Sequence, residues 1–451
     1  MATDLLKNIR TRIERAAEIG KFPDWYIVEL LGHKNRWGTD QVVDISDPDN
    51  PGKKKTISLK IVRVEHRIPD NRWIFGGGFR YHPDVTLSQM ESHAMEMSIK
   101  SWINGIPHGG AKGGAALDPF KCTEEDLMTI TLKIVEEAVE AGVIGPYKDR
   151  WAPDVGTNEE IMKWIQDQYS YEMRKRGTPQ PAAAVTGKPV AVGGMPGRKE
   201  ATGLGLHYAL ETFRREAKLK LPKTPTAIVQ GFGNVGLHFA KLAKEHKVNI
   251  VGVVDQFGGV YSPTGLDIEK MTQYANANKF KSVAGFENAN TSAKKMTFEE
   301  LIAVGADIFV PAALEEVITP EVASRLNFKV VLEGANGPTL PDADPILAER
   351  GIMVIPDVYA NAGGVIVSYF EWEYDTHIEP FDFQLHPPKE KDEDLVYQSL
   401  QEAMSRSGGA IINLQKREQE KGNKISYRMA SYIYAMDRAL PFFAMKRRKK
   451  Y

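Results

Sequence analysis

Apolar and polar residues follow one another along the chain with two different spacings. In the first 195 residues, TISLKIVRVEH is typical of a strand, whereas LSQMESHAMEMSIKSWI and EEDLMTITLKIVEEAVEAG have the apolar spacing of helices. The N-terminal MATDLLKNIRTRIERAAEIG has the same helical spacing. This part of the chain is therefore predicted to form an α/β domain.

The second half shows a regular exchange of short apolar runs and helix-length segments. The segment PVAVGGMPGRKEATG is rich in glycine and proline and indicates a domain boundary. After a helical stretch over about residues 203–219, five runs are predicted to be buried parallel strands of a doubly wound sheet: TAIVQ, NIVGVVD, ADIFVP, FKVVLEGA and IMVIPD. From about residue 387 the pattern is helical and strongly charged.

These patterns predict an α/β protein with three segments. Residues 1–195 form a first α/β domain, residues 196–385 form the doubly wound domain, and residues 386–451 form helices that pack back toward the first domain. A chain of 451 residues has room for two or three domains.

Composition excludes several classes of function. The formal net charge is −1, and no patch of aromatic and basic residues suggests nucleic-acid binding; the terminal KRRKKY is expected to be a solvated tail. No apolar run approaches the ~18–20 residues of a membrane span. Cys122 is alone, so no internal disulfide can form. We expect a cytoplasmic protein without a membrane partner, and the ten histidines lack metal-binding spacing.

One glycine-rich turn predicts a dinucleotide site. Gly231, Gly233 and Gly236 form G-x-G-x-x-G, with Asn234 and Val235 between the last two, directly after the run TAIVQ and before a helix. The first glycine permits a tight turn, the second lets the backbone approach a pyrophosphate, and the third allows close helix–strand packing. The pyrophosphate then lies at the helix N-terminus, where free N–H groups favour anions.

The end of the next apolar run indicates which nicotinamide cofactor is bound. Asp255 follows Gly236 by 19 residues and is placed to bind the adenosine ribose. Gln256, Phe257 and Gly258 offer no arginine or lysine for a 2′-phosphate, which favours NAD over NADP. A basic residue from elsewhere in the fold would change that preference.

A second glycine-rich stretch, PHGGAKGGAALDP, surrounds Lys112. Glycine is costly to order, so four of them around one cation suggest a backbone that approaches something closely, with room left for substrate and water. Gly113 follows the lysine where a phosphate-binding P-loop needs serine or threonine, so this is not a P-loop.

Several motifs together resemble one enzyme family. They are FGGGFRYHPDVTLSQM, MSIKSWINGIPHGGAKGGAALDP, RWAPDVGTNEEIMKWIQDQYS, GRKEATGLG, the dinucleotide motif, LEGANGPTLPDAD and NAGGVIVSYFEWE. In this order, over about residues 60–375, the chain resembles the glutamate/leucine/phenylalanine/valine dehydrogenases, and most of all the hexameric glutamate dehydrogenases. The resemblance implies a substrate domain and a Rossmann domain with the active site between them, and a homohexamer assembled through the first domain.

The resemblance also implies a reaction and its catalytic residues. Lys112 matches the catalytic lysine, Lys100 the lysine that binds the substrate α-carboxylate, and Asp154 the acid that moves protons. Oxidative deamination of a 2-amino acid to a 2-oxo acid and ammonia requires a neutral amine, loss of hydride, and attack of water. A lysine acts near neutral pH if burial and a second cation lower its pKa.

Four further residues match positions of the family. Thr202 and Asn336 match residues near the nicotinamide, and Asn361 and Ser368 match residues of the substrate pocket.

One position departs from the pattern. Counted back from Lys100 without a gap, the lysine that binds the side-chain carboxylate in glutamate-specific members is here Gly76, followed by a matching Gly77. Breaking one partner of a buried ion pair typically costs about 3–5 kcal/mol. Either the enzyme uses glutamate with Arg80 or another basic residue in compensation, or it uses a different 2-amino acid or amine; Ser368 keeps the polar group of glutamate enzymes.

The sequence therefore predicts an NAD-dependent amino-acid dehydrogenase that resembles glutamate dehydrogenase. Two alternatives of another class remain. One is a catalytically silent family member that acts as a binding or regulatory subunit, and the other is a Rossmann oxidoreductase that acts on a hydroxyl group.

Overall fold

The computed structural model describes residues 5–47, 49–50, 52–68, 73–278, 281–289, 292–377 and 388–448. The chain divides into two compact units. The first comprises Met1–Arg198, Val365–Ser399 and Ala435–Tyr451, and the second comprises Lys199–Gly364 and Leu400–Tyr434. The expected domain bounds stay a prediction, and the one at residues 385–386 lies outside the described residues.

The first unit is built on a five-stranded sheet. Its elements are α1 (Leu5–Gly20), α2 (Asp24–Leu30), β1 (Asn35–Ser46), β2 (Lys54–Glu65), β3 (Ile74–Tyr81), α3 (Leu87–Ile103), β4 (His108–Ala115), α4 (Glu124–Glu140), β5 (Asp149–Pro153) and α5 (Glu159–Lys175). The strand order is β1-β2-β4-β3-β5. Strand β3 is parallel to both β4 and β5, whereas β2 is antiparallel to β1 and β4.

Both faces of this sheet are covered, which explains why its central strands are buried throughout. On one face, the rings of Phe79 and Trp151 stack at 4.2 Å and pack with apolar residues of α4 and α5 such as Ile134 and Ile165. Toward the other face, α3 contributes Met90 to a second apolar cluster. Helix α3 begins at the N-cap Thr86, whose hydroxyl accepts a hydrogen bond from the backbone N–H of Gln89.

The second unit is a doubly wound sheet of seven strands. Its elements are α6 (Ala201–Glu216), β6 (Thr226–Gln230), α7 (Asn234–Leu242), β7 (Asn249–Asp255), β8 (Gly258–Tyr261), α8 (Ile268–Ala277), β9 (Lys294–Met296), α9 (Phe298–Val304), β10 (Ile308–Pro311), α10 (Pro320–Arg325), β11 (Val330–Leu332), α11 (Ala343–Glu349), β12 (Met353–Ile355) and α12 (Asp357–Ala360). The strand order is β12-β11-β10-β6-β7-β8-β9, and β8 and β9 are antiparallel additions to a parallel sheet.

The chain reverses its direction of winding next to β6. It proceeds from β6 to β7 on one side and later returns through β10 on the other side, so a crevice opens beyond the carboxyl ends of β6 and β10. The five predicted strands and the two-domain α/β fold class are confirmed.

Three helices complete the chain: α13 (Gly363–Thr376), α14 (Glu393–Glu420) and α15 (Tyr427–Arg448). The helical pattern predicted after residue 387 is confirmed. Within the first unit, the Tyr26 hydroxyl donates to the backbone oxygen of Met436, so the part of α15 that belongs to this unit packs against α2. In the part of the chain that the structure describes, no helix is both long and apolar enough to cross a membrane.

Candidate active site

The register of three strands brings the predicted catalytic residues to one face of the first sheet. Gly76 of β3 pairs with Gly110 of β4 and with Arg150 of β5. Side chains alternate between the two faces of a strand, so positions two and four residues further along share a face with these three. Lys112 and Asp154 stand at such positions, although more than 40 residues separate them in the sequence.

Lys112 and Asp154 form a buried ion pair. The Lys112 Nζ donates to one Asp154 carboxylate oxygen, and the Arg80 Nε donates to the other at 2.9 Å. The backbone N–H of Val155 also donates to Asp154, at 2.7 Å. Burial by itself raises the pKa of Asp154, but the positive charges of Lys112 and Arg80 outweigh burial and hold that pKa well below its usual range. Asp154 is therefore ionised, with two cations against it.

Helix α3, which carries Lys100, packs on the same face of the sheet. A Cβ at Gly110 would overlap the backbone oxygen of Ala94 and the backbone nitrogen of Ser98, so only glycine lets α3 approach β4 this closely. The Ser98 hydroxyl accepts a hydrogen bond from the Gly110 N–H at 2.7 Å, which fixes the contact. Lys100, six residues after Ala94 and two after Ser98 on the same helix, is buried.

The glycines around Lys112 do not leave room for the substrate, contrary to the expectation from the sequence. Protein atoms occupy the space beside each of them: a Cβ at Gly113 would lie 2.7 Å from the Val62 backbone oxygen, and one at Gly114 would lie 2.5 Å from that of Arg80. These glycines allow strands and helix α3 to pack closely around Lys112.

The two glycines of the substrate motif are close to neighbouring strands. A Cβ at Gly77 would overlap the backbone oxygen of Ala111, so this glycine permits the contact between β3 and β4. A Cβ at Gly76 would lie 2.8 Å from Nη2 of Arg150. Arg80, which the sequence offered as a compensating cation, is instead paired with Asp154.

Ser368 contacts two arginines of the first unit, whereas Asn361 belongs to the second unit. The Ser368 hydroxyl accepts a hydrogen bond from Arg198 Nε at 2.6 Å, and its backbone oxygen accepts one from Arg150 at 2.9 Å. Asn361 lies in the second unit, where its side-chain amide donates to the Asn336 side-chain oxygen at 3.1 Å. Asn361 is thus grouped with a residue that was assigned to the nicotinamide.

The dinucleotide motif has the geometry that a pyrophosphate requires. Gly231 has a φ of 92°, which favours glycine, and a Cβ at Gly236 would overlap the Gly231 backbone oxygen. Nothing lies within 4 Å of the Cβ position of Gly233, so the backbone there is open to a ligand. Asn234 and Val235 form the first turn of α7, whose N–H groups face the same opening. These residues fit a dinucleotide.

Asp255 stands at the end of β7, and the backbone of two other residues holds both of its carboxylate oxygens. They accept backbone hydrogen bonds from Phe257 and Val283, each at 2.8 Å, which fix the orientation of the carboxylate. Thr202 lies in the first turn of α6. Binding of the ribose by Asp255 and proximity of Thr202 to the nicotinamide stay predictions.

Sequence reasoning missed two arginines of the first unit, Arg150 and Arg198. Both donate to Ser368. The signal for Arg150 was its position four residues before Asp154, which places both side chains on one face of an extended strand. In the described residues, no cluster of three or more histidine, cysteine or acidic side chains is arranged to hold a metal ion.

Comparison with known proteins gives consistent matches over nearly the whole chain. Residues 40–171 match the family described as Glu/Leu/Phe/Val dehydrogenase, dimerisation domain, and residues 193–446 match Glutamate/Leucine/Phenylalanine/Valine dehydrogenase. A glutamate dehydrogenase of Thermotoga maritima is 40% identical over 390 residues, which cover 86% of this chain and 86% of the relative. An NADP-specific glutamate dehydrogenase of Synechocystis is 39% identical over 68% of this chain and 71% of the relative.

A solved structure has the same fold. The hetero-hexameric glutamate dehydrogenase of Thermus thermophilus, in its leucine-bound form, superimposes with a TM-score of 0.82 and 27% sequence identity. The match covers 99% of this chain and 97% of that one.

Proposed function

Because the chain belongs to the glutamate/leucine/phenylalanine/valine dehydrogenase family and is an amino-acid oxidoreductase, we propose that it catalyses the NAD-dependent, reversible oxidative deamination of an L-2-amino acid. The amino acid, NAD⁺ and water give the 2-oxo acid, ammonium, NADH and a proton. The buried Lys112–Asp154 ion pair carries this proposal, since it provides a proton-transfer pair on the sheet face over which α3 places Lys100.

Lys100 and Asp154 of the first unit each have a defined part in the reaction. Lys100 attracts the α-carboxylate by its positive charge, which places Cα near Lys112 and Asp154. The nicotinamide, when bound, accepts the hydride from Cα. Asp154 receives a proton from the substrate ammonium and later transfers protons between the attacking water and the departing ammonia.

Arg80 and Lys112 control the basicity of Asp154. With both cations in contact, Asp154 is held ionised and is a weak base. A proton therefore reaches Asp154 more readily when the Lys112 contact loosens as substrate binds. Arg80 is fixed by a hydrogen bond at 2.9 Å and keeps the carboxylate in position throughout.

The test is whether the oxidation of NADH, which accompanies reductive amination of a 2-oxo acid, requires ammonium and Lys112. The wild type should oxidise NADH with a 2-oxo acid only when ammonium is present, and Lys112→Ala should lower kcat by about 10²–10⁴. Lys133→Ala, which removes an exposed lysine of α4, serves as the matched control. Oxidation of NADH without ammonium, or full activity of Lys112→Ala, would refute the proposal.

The preference for NAD rests on Asp255. A 2′-phosphate beside this carboxylate would bring two negative charges together, whereas a ribose hydroxyl can donate to it. Family membership does not decide the matter, since the Synechocystis relative is NADP-specific. The wild type should have at least a tenfold higher kcat/KM for NAD⁺ than for NADP⁺, and Asp255→Ser should narrow this ratio; a wild type that prefers NADP⁺ contradicts the assignment.

We extend the proposal to a hexamer assembled through the first unit. Residues 40–171 match a family domain described as a dimerisation domain, and the Thermus thermophilus neighbour is a hetero-hexamer. A catalytically silent subunit remains the alternative, and it would bind NAD without turnover of any amino acid.

A further inference from the structure

Arg150 occupies the place that the absent side chain of Gly76 leaves. The two residues are paired across β3 and β5, so their Cβ positions point to the same side of the sheet. A Cβ at Gly76 would lie 2.8 Å from Nη2, 3.2 Å from Nε and 3.3 Å from Cζ of Arg150. The guanidinium thus lies directly over Gly76, and glycine at this position is what makes room for it.

The hydrogen bonds of Arg150 leave part of the guanidinium unused. Nη1 donates to the Thr186 hydroxyl at 3.1 Å and to the Ser368 backbone oxygen at 2.9 Å. Nη2 has one long contact of 3.4 Å with His108 Nδ1, and Nε has no hydrogen-bond partner. The edge formed by Nε and Nη2 is the edge over Gly76, and it has the fork geometry that a carboxylate fits.

The charge of Arg150 is also without a direct counter-ion. Among the described residues, no carboxylate oxygen lies within 4.0 Å of its nitrogens. Asp149, its neighbour in sequence, is paired with Arg63, and Glu371 is paired with Lys188 at 2.7 Å. A buried cation without a partner is costly, and a bound carboxylate would offset that cost by charge-assisted hydrogen bonds.

Burial lowers the pKa of Arg150 to about 10, although the negative charges of Glu371 and Asp149 oppose this effect. The guanidinium therefore stays charged at neutral pH. His108 contributes no second charge, because burial and the nearby guanidinium hold its pKa well below its usual value. Arg198, on the hydroxyl of Ser368, adds another positive group to this part of the site.

Arg150 and the catalytic pair lie on one face of the same sheet. Lys112 is two residues beyond the Gly76–Gly110–Arg150 row on the same face, which is about 7 Å along the strand. Arg150, Lys112 and Lys100 are 2%, 3% and 5% exposed, so each of the three cations is buried.

We propose that Arg150 is the specificity-determining cation of this enzyme, and that its Nε–Nη2 edge binds the side-chain carboxylate of a dicarboxylic amino acid such as glutamate. The inference rests on the proposed function, since it names the substrate class of that site. On this proposal, the cation that a lysine provides at the position of Gly76 in glutamate-specific members is provided here by Arg150 of the neighbouring strand β5. Aspartate, one carbon–carbon bond shorter, should be a poorer substrate than glutamate.

The experiment compares substrates that differ in side-chain charge. Steady-state kcat/KM is measured with L-glutamate, with L-glutamine, which has the same shape without the charge, and with L-norvaline. The wild type should prefer glutamate over glutamine by at least 10²-fold. Arg150→Met should lower kcat/KM for glutamate by about 10²–10³ and reduce the glutamate-to-glutamine ratio to within about tenfold of one.

A rescue variant separates charge recognition from a structural role. Arg150→Met empties the space over Gly76, so Gly76→Lys combined with Arg150→Met should return a cation to this place from β3. The ratio of kcat/KM for glutamate to kcat/KM for glutamine should be at least tenfold higher in this double variant than in Arg150→Met alone. Arg174→Met, at an exposed position of α5, is the matched control and should keep the wild-type ratio.

Failure of this inference differs from failure of the proposed function. The role of Arg150 is overturned if the wild type turns over amino acids with nearly equal kcat/KM for glutamate and glutamine. It is also overturned if Arg150→Met leaves the ratio of these two values unchanged. No turnover of any amino acid overturns the proposed function instead. In that case calorimetric binding of 2-oxoglutarate against the uncharged 2-oxopentanoate decides: a preference lost in Arg150→Met supports the inference, and equal binding by the wild type overturns it.

Discussion

Strand alternation is the reason that single residues far apart in the sequence form one site. Lys112 and Asp154 extend from the same sheet face because each stands an even number of residues from the paired positions Gly110 and Arg150. On the opposite face, Arg63 forms a buried ion pair with Asp149 at 2.5 Å. A shift of one residue in register would exchange these two sets.

The residues of the site were predictable to different degrees. Lys112, Lys100 and Asp154 lie in motifs that match a family, so their roles follow from the sequence as predictions. Arg150 does not, because its relation to Gly76 depends on the pairing of β3 with β5, and 73 residues lie between them in the chain. Gly76 alone suggested only that a cation was absent.

A buried glutamate on α13 predicts how stability depends on pH. Burial raises the pKa of Glu373 from 4.5 to about 8, although a hydrogen bond with Tyr369 opposes the rise, and its Oε2 has no hydrogen-bond partner. Because the pKa is higher in the folded state, the folded chain keeps a proton that the unfolded chain loses between these values. This contribution to stability is complete below pH 4.5 and is lost as the pH rises through 8.

Glu373→Gln should remove that dependence. The thermal denaturation midpoint of this variant should change less between pH 5 and pH 8 than that of the wild type. In the wild type, this one group changes the free energy of unfolding by at most about 1.4 kcal/mol for each pH unit. Glu140→Gln, at an exposed position of α4, is the control and should follow the wild type. Equal pH profiles for Glu373→Gln and the wild type would contradict the assignment.

Among the helices and strands, features that depend on neighbouring residues in the sequence were easier to predict than features that depend on long-range packing. The strand–turn–helix unit β6–α7 was predictable because its glycines act within ten residues of one another. The role of the glycines beside Lys112 was not, because the atoms that fill the space next to them come from α3, β2 and β3. The antiparallel strands β8 and β9 are too short to show a clear pattern.

The close approach of α3 to β4 gives a testable consequence. Gly110→Ala would place a methyl group against the backbone of Ala94 and Ser98 and push α3, with Lys100, away from Lys112. We expect the free energy of unfolding to fall by about 1–3 kcal/mol and KM for the amino acid to rise about tenfold. Urea denaturation and steady-state kinetics measure the two effects.

Gly38→Ala is the matched control for this prediction. Gly38 lies in β1, and the nearest atom to its Cβ position is the Ile61 backbone oxygen at 3.5 Å, an ordinary contact. This variant should keep both stability and KM close to those of the wild type. If Gly110→Ala keeps wild-type stability and KM as Gly38→Ala does, then the approach of α3 to β4 does not depend on glycine at position 110.

At the scale of the whole molecule, assembly is expected to involve the edge of the first sheet. Strand β1 is the last strand on its side, and it presents the apolar side chain of Val42, which is 66% exposed. Exposed apolar edges are suited to pairing with another chain. The family domain matched by residues 40–171 begins in this strand.

Sedimentation equilibrium tests that expectation. The wild type should have a mass of about 300 kDa, six times the 50.3 kDa of the chain. Val42→Lys should shift the distribution toward smaller species, whereas Val304→Lys, an exposed valine of the second unit, should not. A monomeric wild type, or an intact assembly in Val42→Lys, would contradict an interface at this edge.

In the proposed reaction, the Lys112–Asp154 pair acts on an amino acid whose side-chain carboxylate is held by Arg150. The first measurement to make is the initial rate of NAD⁺ reduction by the purified wild type with L-glutamate and, in parallel, with L-glutamine. We expect rapid reduction with glutamate and a rate at least 10²-fold lower with glutamine. Equal rates with the two substrates, or a higher rate with glutamine, would contradict it.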